Sequence, residues 1–250
     1  MLARSAEALL TGLIDYAGLF PPASLPMADA IRNCEHYRRG EHAWMLGRFV
    51  VPLARLGEVP EAFAVSVLAD EVPRRAVAAI ESKRIVKADV PLFVEIPIDE
   101  DPAAKLDELK AAGAFAKMRT GGVTADAFPP VEHVARFIRR CSEKGVAFKA
   151  TAGLHHPVRC VKPLTYEPGA PTGTMHGFLN VFVAALFPDE AHEVLVSGAD
   201  DFRFDDDALH WRGRSARVAD VEAMRRDVAI SFGSCSFEEP IADLQELGIL

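Results

Sequence analysis

Short stretches in which apolar and polar positions alternate recur along this chain, separated by stretches with helical spacing. Residues 3–13 read as a short helix, and Leu13 to Ala17 as a first strand that carries Asp15. Gly18 to Pro22 is a loop. Ser24 and Pro26 open a helix whose face is Met27, Ile31 and Cys34, ending near Gly40. Phe49 to Leu53 and Ala64 to Ala69 follow as strands, then a helix over 73–83 with Val77 and Ile80 on one face. Pro91 to Ile98 is the next strand. Asp101-Pro102 starts a helix that Gly113 stops, and Ala114 to Arg119 is the fifth strand. From Pro130, the spacing of Val131, Val134, Ile138 and Cys141 predicts a buried helical stripe closed by Gly145. The sixth strand starts at Val146 and runs into Gly153-Leu154-His155-His156-Pro157.

Beyond it, 175–187 and 189–197 read as helices. Residues 202–211 form a hairpin turning at Asp205 to Asp207, whose first arm is offered as the seventh strand. A helix over 218–227, a last strand from Ala229 to Ser234 and a C-terminal helix from Pro240 to Leu247 complete the pattern. Alternating strands and helices favour a parallel sheet. About eight such units in 250 residues predict an α/β protein with a (β/α)8 TIM-type barrel, one domain over 1–250. It has an N-terminal helix and an inserted hairpin near 202–211. A doubly wound open sheet is the alternative, but it usually carries a Gly-rich nucleotide fingerprint, and neither GxGxxG nor a Walker motif occurs.

Three strands break their own pattern in the same way. Side chains alternate along a strand, so Glu95 stands opposite Val94 and Ile96. Lys117 and Arg119 stand opposite Ala116 and Met118. Lys149 and Thr151 stand opposite Val146, Phe148 and Ala150. If the apolar set meets the helices, the five polar residues converge inside the barrel. Catalytic groups of this fold sit at the carboxyl ends of strands. A buried ion-pair network without catalysis would use the same residues.

Arg119-Thr120-Gly121-Gly122 adds an arginine suited to carboxylate or phosphate, followed by glycines whose backbone can approach an anion. His155 and His156 offer a general acid/base or a metal ligand. His176 and Asn180 share a helical face, and Ser234 lies at the rim of the last strand. These readings make Lys149, Lys117, Glu95 and His155 the catalytic candidates. Arg119, Thr120, Gly121, Gly122, Thr151, His156, His176, Asn180 and Ser234 are the substrate-binding candidates. Burial beside Lys117 is expected to lower the pKa of Lys149, making it a nucleophile or base whose loss abolishes activity while the fold survives. No metal and no cofactor are expected, because HxH, HExxH and paired-cysteine spacings are missing.

Composition narrows the partners. The net charge of −8 argues against a nucleic-acid or anionic-membrane surface. The four cysteines form no CxxC pair, which points to a reducing cytoplasm. No leader peptide or membrane span is legible, since the longest apolar run, Gly177 to Phe187, is too short. The expected partner is a small anionic molecule, with homo-oligomerisation left open.

Asp15 to Pro22, Lys117 to Gly122, Lys149 to Pro157 and His176 to Asn180 resemble a bacterial family of uncharacterised proteins. More distantly, Lys117 to Gly122 and Lys149 to Gly153 resemble class I aldolases of the deoxyribose-phosphate aldolase type, although their order and spacing depart from that pattern. The resemblance implies lysine-dependent chemistry at a carbonyl. The expected activity is therefore a lyase, aldolase or isomerase acting on a phosphorylated or carboxylated metabolite. The alternatives are a metal-dependent hydrolase or isomerase using Asp15, Glu95, His155 and His156, and a non-catalytic ligand-binding barrel.

Overall fold

The computed structural model describes residues 2–250. A helix, α1 (Arg4–Leu10), precedes β1 (Ile14–Tyr16), and α2 (Met27–Tyr37) leads to β2 (Leu46–Pro52). Then come β3 (Val65–Leu68), β4 (Ala79–Ser82) and β5 (Leu92–Glu95), joined without α-helices. The regular alternation resumes with α3 (Ala103–Ala112), β6 (Phe115–Arg119), α4 (Val131–Lys144) and β7 (Phe148–Thr151). Two excursions follow. A hairpin of β8 (Cys160–Pro163) and β9 (Thr172–Met175) precedes α5 (Phe178–Leu186) and α6 (Ala191–Leu195). A three-stranded antiparallel sheet of β10 (Phe202–Phe204), β11 (Ala208–Trp211) and β12 (Arg214–Arg217) precedes α7 (Val218–Asp227). The chain ends with β13 (Ala229–Ser234) and α8 (Glu238–Glu246).

Eight parallel strands close into a barrel in the order β1-β2-β3-β4-β5-β6-β7-β13. The predicted (β/α)8 architecture is thus present, and two of its strands differ from expectation. The fourth barrel strand is β4, inside the segment read as a helix over 73–83. With β4 at Ala79–Ser82, the connections 69–78 and 83–91 leave no room for a helix over 73–83. The Ala78 amide donates to Val65 O and the Ile80 amide to Pro91 O, so both neighbours claim this backbone. The Arg75 guanidinium fastens the connection by donating to the carbonyls of Leu56, Val59 and Pro60. The hairpin arm at 202–204 lies outside the barrel, so the Lys149 strand is itself the seventh.

The outward faces of the strands form the core with the helices. Val94, Ala116, Met118, Phe148 and Ala150 are buried there, as the alternation requires. Gly113 and Gly145 end α3 and α4 with φ of 66° and 62°, the left-handed conformation that favours glycine at a helix end. Arg225 on α7 is buried and donates to the carbonyls of Leu9, Thr11, Ala229 and Ile230, tying the start of the chain to the closing strand. Among the described residues no helix is long and apolar enough to cross a membrane.

Candidate active site

The inward faces of the strands hold a layered ion network. At its centre is Lys149, fully buried, its Nζ 2.6 Å from Asp15 Oδ2 and 2.5 Å from Glu81 Oε1. Asp15 also accepts from the Ser231 hydroxyl at 2.8 Å and the Arg48 amide at 2.6 Å. A Cβ at position 47 would fall 2.3 Å from Asp15 Oδ1, so glycine there makes room for the carboxylate. Glu81 accepts a third bond, from the Ser66 hydroxyl at 2.8 Å. Its other oxygen faces Lys117 Nζ at 3.1 Å, and Lys117 in turn reaches Glu95 Oε2 at 3.0 Å. Direct register of Glu95 with Lys117 and of Lys117 with Lys149 places these groups side by side.

Each layer has a different access to water. Asp15 and Lys149 have no exposed side-chain surface, Lys117 has 7 % and Glu95 has 25 %. The network therefore runs from a sealed floor to a wetted rim. Burial opposes the charge on Lys149, but Asp15 and Glu81 overcome it and raise its pKa. This corrects the expectation of a lowered value. Lys117 is a neighbour in register, yet two carboxylates within hydrogen-bond distance outweigh one cation. Lys149 is an ammonium, not a free amine. Burial likewise pushes the Glu81 carboxyl up, while Lys149 and Lys117 prevail and hold it down to about 2.

A pH dependence follows from these two groups. Glu81, lowered from 4.5 to about 2, contributes stability that is fully present above pH 4.5 and lost as the pH falls towards 2. The contribution is on the order of 3 kcal/mol. Lys149, raised from 10.5, contributes stability that is fully present below pH 10.5 and is lost as the pH rises from there through its raised value. Urea midpoints should hold steady from pH 7 to 5 and then fall. Glu81→Gln should be less stable at neutral pH and should flatten the acid limb. An unchanged acid limb in that variant would contradict the assignment.

Above the network opens a cavity of about 630 Å³, lined by Glu81, Glu95, Lys117, Arg119, Lys149, Thr151, Gly122 and His155, among others. The five residues grouped by strand parity thus meet in one cavity, as expected. His155 is among the lining residues, its Nδ1 is 3.0 Å from Glu239 Oε2, and its Nε2 is not engaged by that bond. Burial opposes ionisation of Glu239, but His155, His156 and the Tyr166 hydroxyl at 3.1 Å hold its pKa down, so it is a carboxylate.

Several substrate-binding candidates stand elsewhere. The Thr120 hydroxyl donates to Ala152 O at 2.6 Å and ties β6 to the loop after β7. A Cβ on Gly121 would fall 2.4 Å from the Phe128 ring, so its small size serves packing and not an anion. His156 donates to Asp243 at 2.5 Å, away from the cavity lining. His176 bonds Pro129 O through Nε2, and its Nδ1 is buried without a partner. Asn180 donates to the carbonyls of Val194 and Ser197 and accepts from the Arg159 amide. The Ser234 hydroxyl accepts from the Ser236 amide. For Thr120, His176, Asn180 and Ser234 the partners are backbone groups, for His156 the Asp243 carboxylate.

Asp15, Glu95, His155 and His156 do not come together either. Asp15 lies under Lys149, and the histidines face Glu239 and Asp243. Among the described residues no group of three or more His, Cys, Asp and Glu side chains is arranged to hold a metal ion.

Sequence reasoning passed over Glu81, Ser66, Ser231 and Glu239. Glu81 had a legible signal: in Ala79-Ile80-Glu81-Ser82 it stands opposite Ile80 as Glu95 stands opposite Ile96. No protein-family model and no curated protein matches the chain.

Proposed function

We propose that this barrel is a lyase, aldolase or isomerase that moves a proton beside the carbonyl of a small anionic metabolite. One observation carries the reading: at the wetted rim of the network a carboxylate open to the cavity, Glu95, lies 3.0 Å from a lysine ammonium, Lys117. Glu95 accepts the proton from the carbon next to the carbonyl. Lys117 donates a hydrogen bond to the oxygen on which negative charge develops, where a fixed donor acts most strongly. Lys149 and Glu81 beneath them are fixed charges that orient Lys117. Arg119, exposed at the rim, grips the substrate's carboxylate or phosphate through two parallel hydrogen bonds. His155, on the loop after β7 and oriented by Glu239, returns a proton from the β7 side of the same polar half of the cavity.

This reading takes the nucleophile's role away from Lys149, because an ammonium between two carboxylates has no lone pair to offer. The test needs no knowledge of the full reaction. 2-Oxo acids and phosphorylated ketones are incubated with the protein in D2O, and loss of the C–H signal beside the carbonyl is followed by NMR. At least one should exchange. Glu95→Gln should slow that exchange about 10²–10⁴-fold, the usual contribution of a positioned base. Exchange at the original rate in Glu95→Gln would remove Glu95 as the base. Absence of exchange across the whole panel would count against proton transfer beside a carbonyl and favour the non-catalytic barrel.

A further inference from the structure

The cavity has two chemically different halves, and the division follows the strand order. The sector built by β1, β2, β3 and their loops contributes Phe20, Pro21, Pro22, Val50, Leu68 and Ala69. Its one ionisable lining residue, Asp70, turns aside: its carboxylate accepts from the Ser82 hydroxyl and the Lys83 amide, both at 2.8 Å. All other ionisable groups of the lining, apart from Cys235, come from β4 to β7 and the loops that follow them.

In an eight-stranded ring β1 stands across from β5, β2 from β6 and β3 from β7. Val50 therefore faces the Lys117 and Arg119 strand across the barrel, and Leu68 faces the strand of Lys149. A molecule gripped at Arg119, with its carbonyl over Glu95 and Lys117, must extend towards the apolar half. At about 630 Å³ the cavity lies within the range of about 300–1,000 Å³ typical of sites that enclose a whole organic ligand.

We infer that the substrate is an amphipathic organic acid, with a carboxylate or phosphate head beside the reacting carbonyl and an apolar chain or ring at the other end. This rests on the reading of Glu95, Lys117 and Arg119 given above and adds the substrate's second half. The head lies on β5 and β6, and the arm lies on Phe20, Pro22, Val50 and Leu68. A polyhydroxylated sugar phosphate does not fit. Its hydroxyls would be desolvated against a wall with nothing to bond them, and an unpaired buried polar group is costly.

The probe is a set of unbranched 2-oxo acids, from pyruvate to 2-oxooctanoate, with the matching methyl ketones as uncharged controls. Binding is measured by titration calorimetry. The dissociation constant of the acids should fall about fourfold with each methylene added, as expected for a CH2 moved out of water. Leu68→Ser and Phe20→Ser should each flatten that dependence. Arg119→Lys should weaken every acid by a similar factor, because lysine lacks the planar fork, and should leave the ketones unchanged. Should either wall variant fail to fold, the slope in the unmodified protein decides.

A dissociation constant independent of chain length overturns the inference. If Arg119→Lys still weakens those acids, the anion site survives and only the apolar arm is lost. Ketones binding as tightly as acids, with no effect of Arg119→Lys, would refute the anionic head and with it the inferred acid. No binding by any member would overturn both.

Discussion

Lys149→Met is expected to lower the free energy of unfolding by about 3–5 kcal/mol, the cost of breaking a buried ion pair by deleting one partner. The substitution keeps most of the side chain's volume, so packing contributes little. The cost is electrostatic. Asp15 and Glu81 would lose the cation 2.6 and 2.5 Å away, keeping only the Arg48 guanidinium at 3.7 Å and Lys117 at 3.1 Å respectively, and neither can turn to water, because both side chains are sealed. This reverses what strand parity alone suggests, namely that the fold survives the loss of this lysine. Urea unfolding at pH 7 measures the effect. Neutralising the under-compensated acids in the triple variant D15N, E81Q and K149M should recover a large part of the loss, since uncharged amides of the same shape need no counter-ion. A single variant as stable as the parent would show that the carboxylates find other partners or bind protons at little cost. Failure of the triple variant to regain stability would locate the effect in packing.

The part of this site that the sequence reveals is the part whose outward neighbours are strongly apolar. Glu95, Lys117 and Lys149 each sit between hydrophobic residues on a strand of the regular alternation, and parity then assigns them to the interior. Glu81 is placed by the same rule, yet Val77 and Ile80, three apart, imitate a helical face, and four residues of strand are too few to outvote them. Asp15 was visible as a charge in the first strand. Its partner lies 134 positions away, and only closure of the barrel between β1 and β13 brings Lys149 within reach. Ser66 and Ser231 carry no charge to betray them. Glu239 belongs to the polar side of an amphipathic helix, where a carboxylate that holds a histidine resembles one that faces water.

The candidates that fell away did so for one physical reason. Thr120, His176 and Ser234 are polar residues at strand ends and Asn180 one in the first turn of α5, and such residues are candidates for substrate contact and for backbone satisfaction alike. The choice depends on which carbonyls and amides the fold leaves unpaired nearby. For Asn180 these are Val194 O, Ser197 O and the Arg159 amide, none of them adjacent in sequence. Gly121 repeats the lesson without a polar atom, since the ring that needs its space belongs to Phe128.

Lys117→Met is expected to have the opposite profile to Lys149→Met, a small loss of stability and a large loss of turnover. Removing this ammonium leaves Glu81 with Lys149 and the Ser66 hydroxyl, and Glu95 with water at a rim it already touches. The cost should be about 1–3 kcal/mol, that of unpairing a partly buried group. The amine itself lies 3.0 Å from Glu95, and the Lys117 side chain, 7 % exposed, is part of the cavity lining. No other lysine in the network combines contact with the base and access to a ligand. Loss of a fixed donor at a developing oxyanion slows reaction about 10²–10³-fold. Deuterium exchange into the most reactive carbonyl compound should therefore fall by that factor in Lys117→Met, with binding of the same compound weakened far less. Borohydride added during turnover should leave no adduct on Lys149 in the parent protein. Full exchange in Lys117→Met would return the oxyanion's partner to be sought at Arg119 or His155. A reduced adduct on Lys117 would show that this lysine attacks the carbonyl carbon as a free amine, and Glu95 would then be the group that takes its proton.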